Sequence, residues 1–432
     1  MTPAAEPVVT SSRGWRSPER RPLAALVVTH VISLFSNQLT GIAVPWFVLV
    51  LTDSATRTGL TAAVTLLPSI VMAFFGGAVV DRVSARRLAI VSDVLSGMTV
   101  ALVPVLFSLH LLSFPLLLAL MFLGAIFDSP GATARSTMTP RRAERAGTPL
   151  ERVNAAFGVS QSVSMLIGAA IAGALVSALG PTNVLWFNAG AFAVSALAMC
   201  LAVPELGTHP PSGASLRGDI REGVAWLWRH GALRTTIGAA LVINAMFAPI
   251  AAVVLPYYAR ATFGSATALG ILMSGYGVGS LLGALAYGVI GARIRRRTQM
   301  IVSVALITLP VLGMILLPPL GLAWTLQLVI GVGVGLVNPM VRTVIMRATP
   351  PPMLGRVSGV FQAGAMVASP VGVLLAGPML ALLDLRGTFA VFSAVLLGVL
   401  ALIVASRSIR DFDRQEAPPE PPARERAAQA AR

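Results

Sequence analysis

The stretch LERVNAAFGVSQSVSMLIGAAIAGAL, residues 150–175, returns as LGRVSGVFQAGAMVASPVGVLLAGPM at residues 354–379. An offset of 204 residues places Arg152 over Arg356, Val153 over Val357, Phe157 over Phe361, Gly168 over Gly372 and Gly173 over Gly377. Each copy opens on polar residues and runs into an apolar segment of the length that crosses a bilayer, about 20 residues. So many matches at one offset, in equivalent places, predict a chain made by duplicating a half. Parallel repeats of this kind build one large class of secondary transporters. Receptors and most membrane enzymes lack them.

Outward from these two copies, apolar runs recur along the whole chain. The first set lies near 22–50, 58–80, 88–111, 114–134, 153–178 and 183–204. The second lies near 235–258, 265–290, 299–318, 321–346, 357–382 and 387–406. The expected fold is an all-α membrane protein with twelve transmembrane helices in two parallel six-helix repeats. Composition agrees: the 432 residues are 56% hydrophobic and only 11% charged, with a mean hydropathy of +0.81. A soluble protein carries about 25% charged residues, so a water-soluble chain is excluded. The expected parts are a cytoplasmic tail at 1–21, a six-helix half at 22–204, a linker at 205–234, a second half at 235–408 and a disordered tail at 409–432. Within the linker, IREGVAWLWRHGALR alternates charges with Ile220, Val224, Trp226, Leu227 and Trp228. It reads as an amphipathic helix lying on the membrane face.

The net charge is +15, and all 32 basic residues are Arg. A strongly basic chain raises the question of nucleic acid, but the placement of the Arg answers it. With both termini inside, only Arg57, Arg260 and Arg386 fall outside, and Arg342 snorkels from span ten. The other 28 Arg, Arg135 among them just past span four, fall on the inner side. That asymmetry is the positive-inside signal. It predicts a multi-pass membrane protein with its inner face touching anionic lipids and no nucleic-acid partner. The lone Cys200 and four scattered His offer no metal site, and no Walker sequence offers an ATP engine. Gly275-Tyr-Gly277-Val-Gly279 and Gly331-Val-Gly333-Val-Gly335 do not lie between a strand and a helix, so they read as helix-packing surfaces. No cofactor and no enzymatic activity are expected.

The loop between spans two and three reads Gly77-Ala-Val-Val-Asp81-Arg82-Val-Ser84-Ala85-Arg86-Arg87. It resembles the G-x-x-x-D-R-x-G-R-[KR] signature of the major facilitator superfamily, departing at Ser84 and Ala85. Phe127-Asp128-Ser129-Pro130, Leu255-Pro256-Tyr257-Tyr258 and Gly355-Arg356-Val357 are similar to the branch containing enterobactin exporters and macrolide-efflux proteins. The resemblance covers roughly residues 22 to 408. It implies a gating latch in which the loop acid and Arg, here Asp81, Arg82, Arg86 and Arg87, pair with an acid of span four, here Asp128. The family's span-four Arg is replaced by Leu120, and the Pro of its fifth-span exchanger motif by Ala169. The resemblance also implies a central cavity lined by the first and fourth helices of each half.

Acids within lipid are expensive and usually functional. Two are candidates for ion coupling: Asp128 in span four and Asp93 in span three, the latter alternatively snorkelling to the interface. The polar residues expected to line the cavity are Asn37, Gln38, Asn244, Gln161, Asn338 and Gln362. Polar but uncharged walls with Met and aromatic neighbours suit an amphiphilic or hydrophobic small molecule. The expected protein is a monomeric exporter of such compounds (drug, macrolide or siderophore class) that exchanges them for protons. An uptake or facilitated-diffusion carrier of the same fold is the alternative, followed by a membrane enzyme acting on a lipid-linked substrate.

Overall fold

An apolar run that leaves water must satisfy its own backbone amides, and a helix does so within one segment. The computed structural model describes residues 20–82, 84–205, 216–291 and 293–406. The side chains of 69–82, 150, 151, 154, 155, 162, 216–220, 223, 232, 347, 351, 352 and 355 lie outside that description. Among the described residues all regular structure is helical. The first half holds α1 (Arg21–Thr52), α2 (Ala55–Arg82), α3 (Ala85–Ser108) and α4 (Phe114–Arg145). It continues with α5 (Leu150–Val163) and α6 (Ala169–Leu179), joined by a π-helical turn (Ser164–Gly168), and α7 (Pro181–Ala202). Then come α8 (Leu216–Arg229) and α9 (Gly231–Pro249). A π turn (Ile250–Val254) joins α9 to α10 (Leu255–Tyr258), and a second (Ala259–Phe263) follows. The remaining helices are α11 (Ala266–Ile290), α12 (Arg296–Gly313), α13 (Leu320–Ala348) and α14 (Pro351–Ala405).

Ten described segments are long and apolar enough to cross a membrane. Residues 356–405 count as one of them, yet α14 is two helices joined at Asp384, whose φ of 58° and ψ of −170° break it. Asp384 Oδ1 accepts from the Gly387 amide at 3.0 Å and so caps the helix that follows. Helix α2 is not among the ten. Large apolar side chains such as Leu201, Val289, Leu316 and Leu382 stand exposed, which is the outer surface a lipid environment requires.

Local sequence sets the helix ends. Ser84, Ser113 and Ser265 accept from the amides of Arg87, Leu116 and Thr267 and start α3, α4 and α11, each satisfying an orphan N–H. Asp53 closes α1 in the left-handed region at φ 49°.

Small residues then decide how the helices pack. Gly173 of α6 lies against Gly270 of α11: a Cβ on Gly173 would come within 2.6 Å of the Ala266 carbonyl oxygen. A Cβ on Gly377 of α14 would come within 2.6 Å of Thr56 Cα at the start of α2. Gly173 and Gly377, which the 204-residue offset aligns, thus each make a close backbone contact with the other half at the end of the bundle that carries Asp53. Inside the second half the two Gly-x-Gly-x-Gly runs face each other. A Cβ on Gly331 of α13 would meet Gly279 Cα of α11 at 3.0 Å.

Candidate transport site in the first half

Gly124, Asp128, Gly131 and Arg135 recur along α4 at steps of four, three and four, so they share one face. The two glycines let α3 approach that face. A Cβ on Gly124 would lie 2.9 Å from Thr99 Oγ1, and one on Gly131 would lie 2.9 Å from Ser92 Cβ. Ser96 Oγ donates to the Gly124 carbonyl at 3.3 Å. This close approach brings Asp93 of α3 to Arg135 of α4.

Arg135 Nη1 donates to both oxygens of Asp93, at 2.9 and 3.0 Å. Its Nη2 donates to Ser33 Oγ of α1 at 3.0 Å, and Ser195 Oγ of α7 donates to Asp93 Oδ2 at 2.7 Å. Arg135, Asp93 and Ser195 are each 1% exposed. A charge pair this deep persists only because nearly every polar atom is served. The pair therefore ties together α1, α3, α4 and α7.

Two turns before Arg135 on the same helix is Asp128. Its Oδ1 is shut off from solvent and has no hydrogen-bond partner among the described residues, and the same holds for Arg135 Nε. Asp128 lines a cavity of about 160 Å³ inside the first half. Asn37, Thr40, Thr65 and Ser96 give the cavity polar points; Val100, Met121, Leu185 and Phe192 give it apolar walls. Asn188 of α7 donates to Thr40 Oγ1 at 2.5 Å and fixes that hydroxyl. Two acids and one Arg leave the buried cluster one negative charge in excess when both acids are ionised.

The structure redistributes several residues singled out in the sequence. Arg135 is not one of the inner-face Arg. The polar run STMTPRRAER ended the apolar count at 134, but α4 continues to Arg145, so Arg135 sits inside the bundle. Asp93 does not snorkel; it is buried in the pair with Arg135. Arg86 Nη2 donates to the Cys200 carbonyl at 2.5 Å, and Arg87 pairs with Glu205 at 3.2 Å, so both hold the start of α3 to the end of α7. Asp128 does not meet them. It lies fourteen residues before Arg142, about 21 Å along the helix at 1.5 Å per residue, and Arg142 donates to the Pro204 carbonyl at that same end. The side chains of Asp81 and Arg82 lie outside the described residues.

Of the six polar residues expected in one central cavity, Asn37 joins Asp128. Gln38 instead donates to the Ser164 carbonyl at 3.3 Å, where the π turn begins and the helical ladder is disturbed. Asn244 bonds back to Ala240 on its own helix. Gln161, Asn338 and Gln362 are exposed. Thr65, Asn188, Ser195 and Arg135 were not singled out as site residues. For Arg135 the signal was present, in the one-face spacing with Asp128.

The family model of the Major Facilitator Superfamily matches residues 26–248 and 237–431. The chain is 33% identical over 409 residues to the multidrug efflux pump Tap of Mycolicibacterium fortuitum, covering 93% of this chain and 99% of that protein. It is 25% identical to the enterobactin exporter EntS of Citrobacter koseri, covering 92% and 94%. The crystal structure of the nucleoside transporter NupG superposes with a TM-score of 0.75 at 12% identity, over 89% of this chain and 98% of that one. The twice-matched family model, the near full-length relatives and the shared fold lead to one conclusion: this multi-pass membrane protein belongs to the Major Facilitator Superfamily, a family of transporters rather than enzymes.

Proposed function

We propose that the protein exports small amphiphilic or hydrophobic compounds from a bacterial cell by alternating access, in exchange for protons. The observation that carries the reading is Asp128: a carboxylate oxygen enclosed without a partner, on the wall of a cavity with both polar and apolar faces. An ionised carboxylate is costly in such a place, and a proton removes the cost. The cavity's mixed walls suit a compound with one polar edge and an apolar body. The efflux pump and exporter among the relatives support the direction.

In this reading both termini are cytoplasmic, in the plasma membrane, and the protein acts as a monomer. The halves touch at the outer end, where Gly173 and Gly377 make their contacts, so the substrate path opens inward in this state. Asp81 and Arg82 act with Arg86 and Arg87 at the inner end, closing it in the alternate state. The excess Arg on that face contacts anionic lipid.

The test is uptake of a fluorescent lipophilic dye into inverted vesicles under an imposed proton gradient. Accumulation that collapses with the gradient, and that Asp128→Asn abolishes, is the expected result. Equilibration indifferent to the gradient would instead identify a facilitated-diffusion carrier.

A further inference from the structure

We infer that Arg135 is a positioning residue that serves two acids in turn: Asp93 in the state seen here, and Asp128 once Asp128 has lost its proton. The inference rests on the reading of Asp128 as the proton carrier and goes beyond it, because it says how proton loss becomes helix movement.

The geometry supplies each part. The guanidinium lies beside Gly131, where a Cβ would be 3.6 Å from Nη2. Gly131 is one turn from Asp128 on the same face of α4. A side chain at this position would fill the lane between the guanidinium and the second acid; glycine leaves it open. Among the charged side chains of the cluster, Arg135 Nε and Asp128 Oδ1 are both closed off from solvent and without a hydrogen-bond partner among the described residues. One is a donor and the other an acceptor.

Among the described residues, the charged and titratable groups around Asp128 are Asp93 on α3 and Arg135 on its own helix, with His30 of α1 beside Arg135. From α2 and α7 come Thr65, Asn188 and Ser195, which carry no charge. One guanidinium therefore faces two carboxyl groups, and a single proton balances the set. With Asp128 protonated, Arg135 is free to hold Asp93 and Ser33. When the proton leaves Asp128, its oxygens become the unserved charge and draw the guanidinium along α4. Asp93 then keeps only Ser195, and the grip of α4 on α1 and α3 loosens. Release of a proton is converted into repacking of three helices.

The experiment uses full-length protein in proteoliposomes. The single Cys200 is replaced by Ser, and a pair of spin labels reports the distance between the halves at the end that carries Arg86 and Arg356. The distance is followed against pH. Wild type is expected to titrate and Asp128→Asn to be flat. Arg135→Gln alone strands a buried acid and endangers folding, so the deciding variant is the double Asp93→Asn/Arg135→Gln, which replaces both charges by amides. Without Arg135 the ionised Asp128 has lost its stand-in partner, so the midpoint is expected to move to higher pH by about one unit, a tenfold change. Arg135→Lys retains the charge and is expected to stay near wild type. A double variant with the wild-type midpoint overturns the inference while leaving the proton role of Asp128 intact, and so does a Lys variant that moves with the double. An Asp128→Asn protein that still titrates overturns both.

Discussion

Arg260 Nη2 lies 3.0 Å from Asp53 Oδ1 and joins the π turn after α10 to the end of α1. The contact bridges the two halves at the same end as the glycine seam. Asp53 is 84% exposed, so solvent screens the pair and it is worth at most about 1 kcal/mol. Asp53→Asn or Arg260→Gln is expected to cost less than that in thermal unfolding of the purified protein. The difference is expected to shrink further in high salt. A loss of several kcal/mol would mean that the tie is stronger than its exposure permits. A weak tie is what a contact made and broken in each cycle needs.

The glycine seam is expected to be far less forgiving. Gly173→Leu and Gly377→Leu each drive a side chain into backbone of the facing helix, an overpacking that costs about 1–3 kcal/mol or forces the halves apart. Gly41 and Gly190 have open space around them, so Gly41→Ala and Gly190→Ala are expected to be tolerated. Thermal stability and dye transport of the four variants side by side check the contrast. Equal behaviour of the two pairs would refute the seam as a close backbone contact.

Removing one member of the buried ion pair is expected to be severe. Arg135→Gln leaves Asp93 with Ser195 alone, and stranding a buried charge costs about 3–5 kcal/mol. The double variant Asp93→Asn/Arg135→Gln removes both charges and is expected to recover most of the loss. Melting temperatures of the singles and the double form a cycle that measures the coupling. Additive losses would mean that the two residues do not act as a pair.

Helix α8 offers a test of the membrane face. Trp226 and Leu227 pack against the bundle, while Trp228 is 64% exposed with the Arg234 guanidinium 5.4 Å from its ring. Arg356 of α14 donates to Glu222 and holds the helix in place. An exposed Trp beside Arg belongs at a lipid headgroup boundary. Brominated lipids are expected to quench a component of the fluorescence that Trp228→Phe removes. Unchanged quenching in that variant would place the residue in water.

The helical membrane fold was legible from apolar run length, because lipid leaves an apolar segment few alternatives. The duplicated half was legible from one offset, and Gly173 and Gly377, which it aligned, each face the opposite half. Arg135 was lost to the same method. Hydropathy marks where a segment stops being apolar, not where its helix stops, and α4 runs eleven residues past that point. The cavity escaped for another reason. Amides such as Gln38, Asn244 and Asn37 look alike in sequence. Whether one caps a disturbed helix, bonds to its own backbone or faces a cavity depends on neighbours that range from four to more than a hundred positions away.

The π turn at Ser164–Gly168 has a consequence for the ancestry of the chain. It inserts one extra residue into the fifth helix of the first half, which rotates everything before it by roughly 100° relative to everything after. The matching stretch of α14 carries no such insertion among the described residues. Letters that align without a gap therefore point in different directions, and Phe157 lies against His30 with ring centroids 4.4 Å apart and planes tilted by 41° while Phe361 packs against the main core. The copies have become a left and a right hand with separate trades. One half carries the buried charges; at the same offset the other has Val332 opposite Asp128 and Pro339 opposite Arg135. A homodimer of either half would reproduce the scaffold and lose the division of labour.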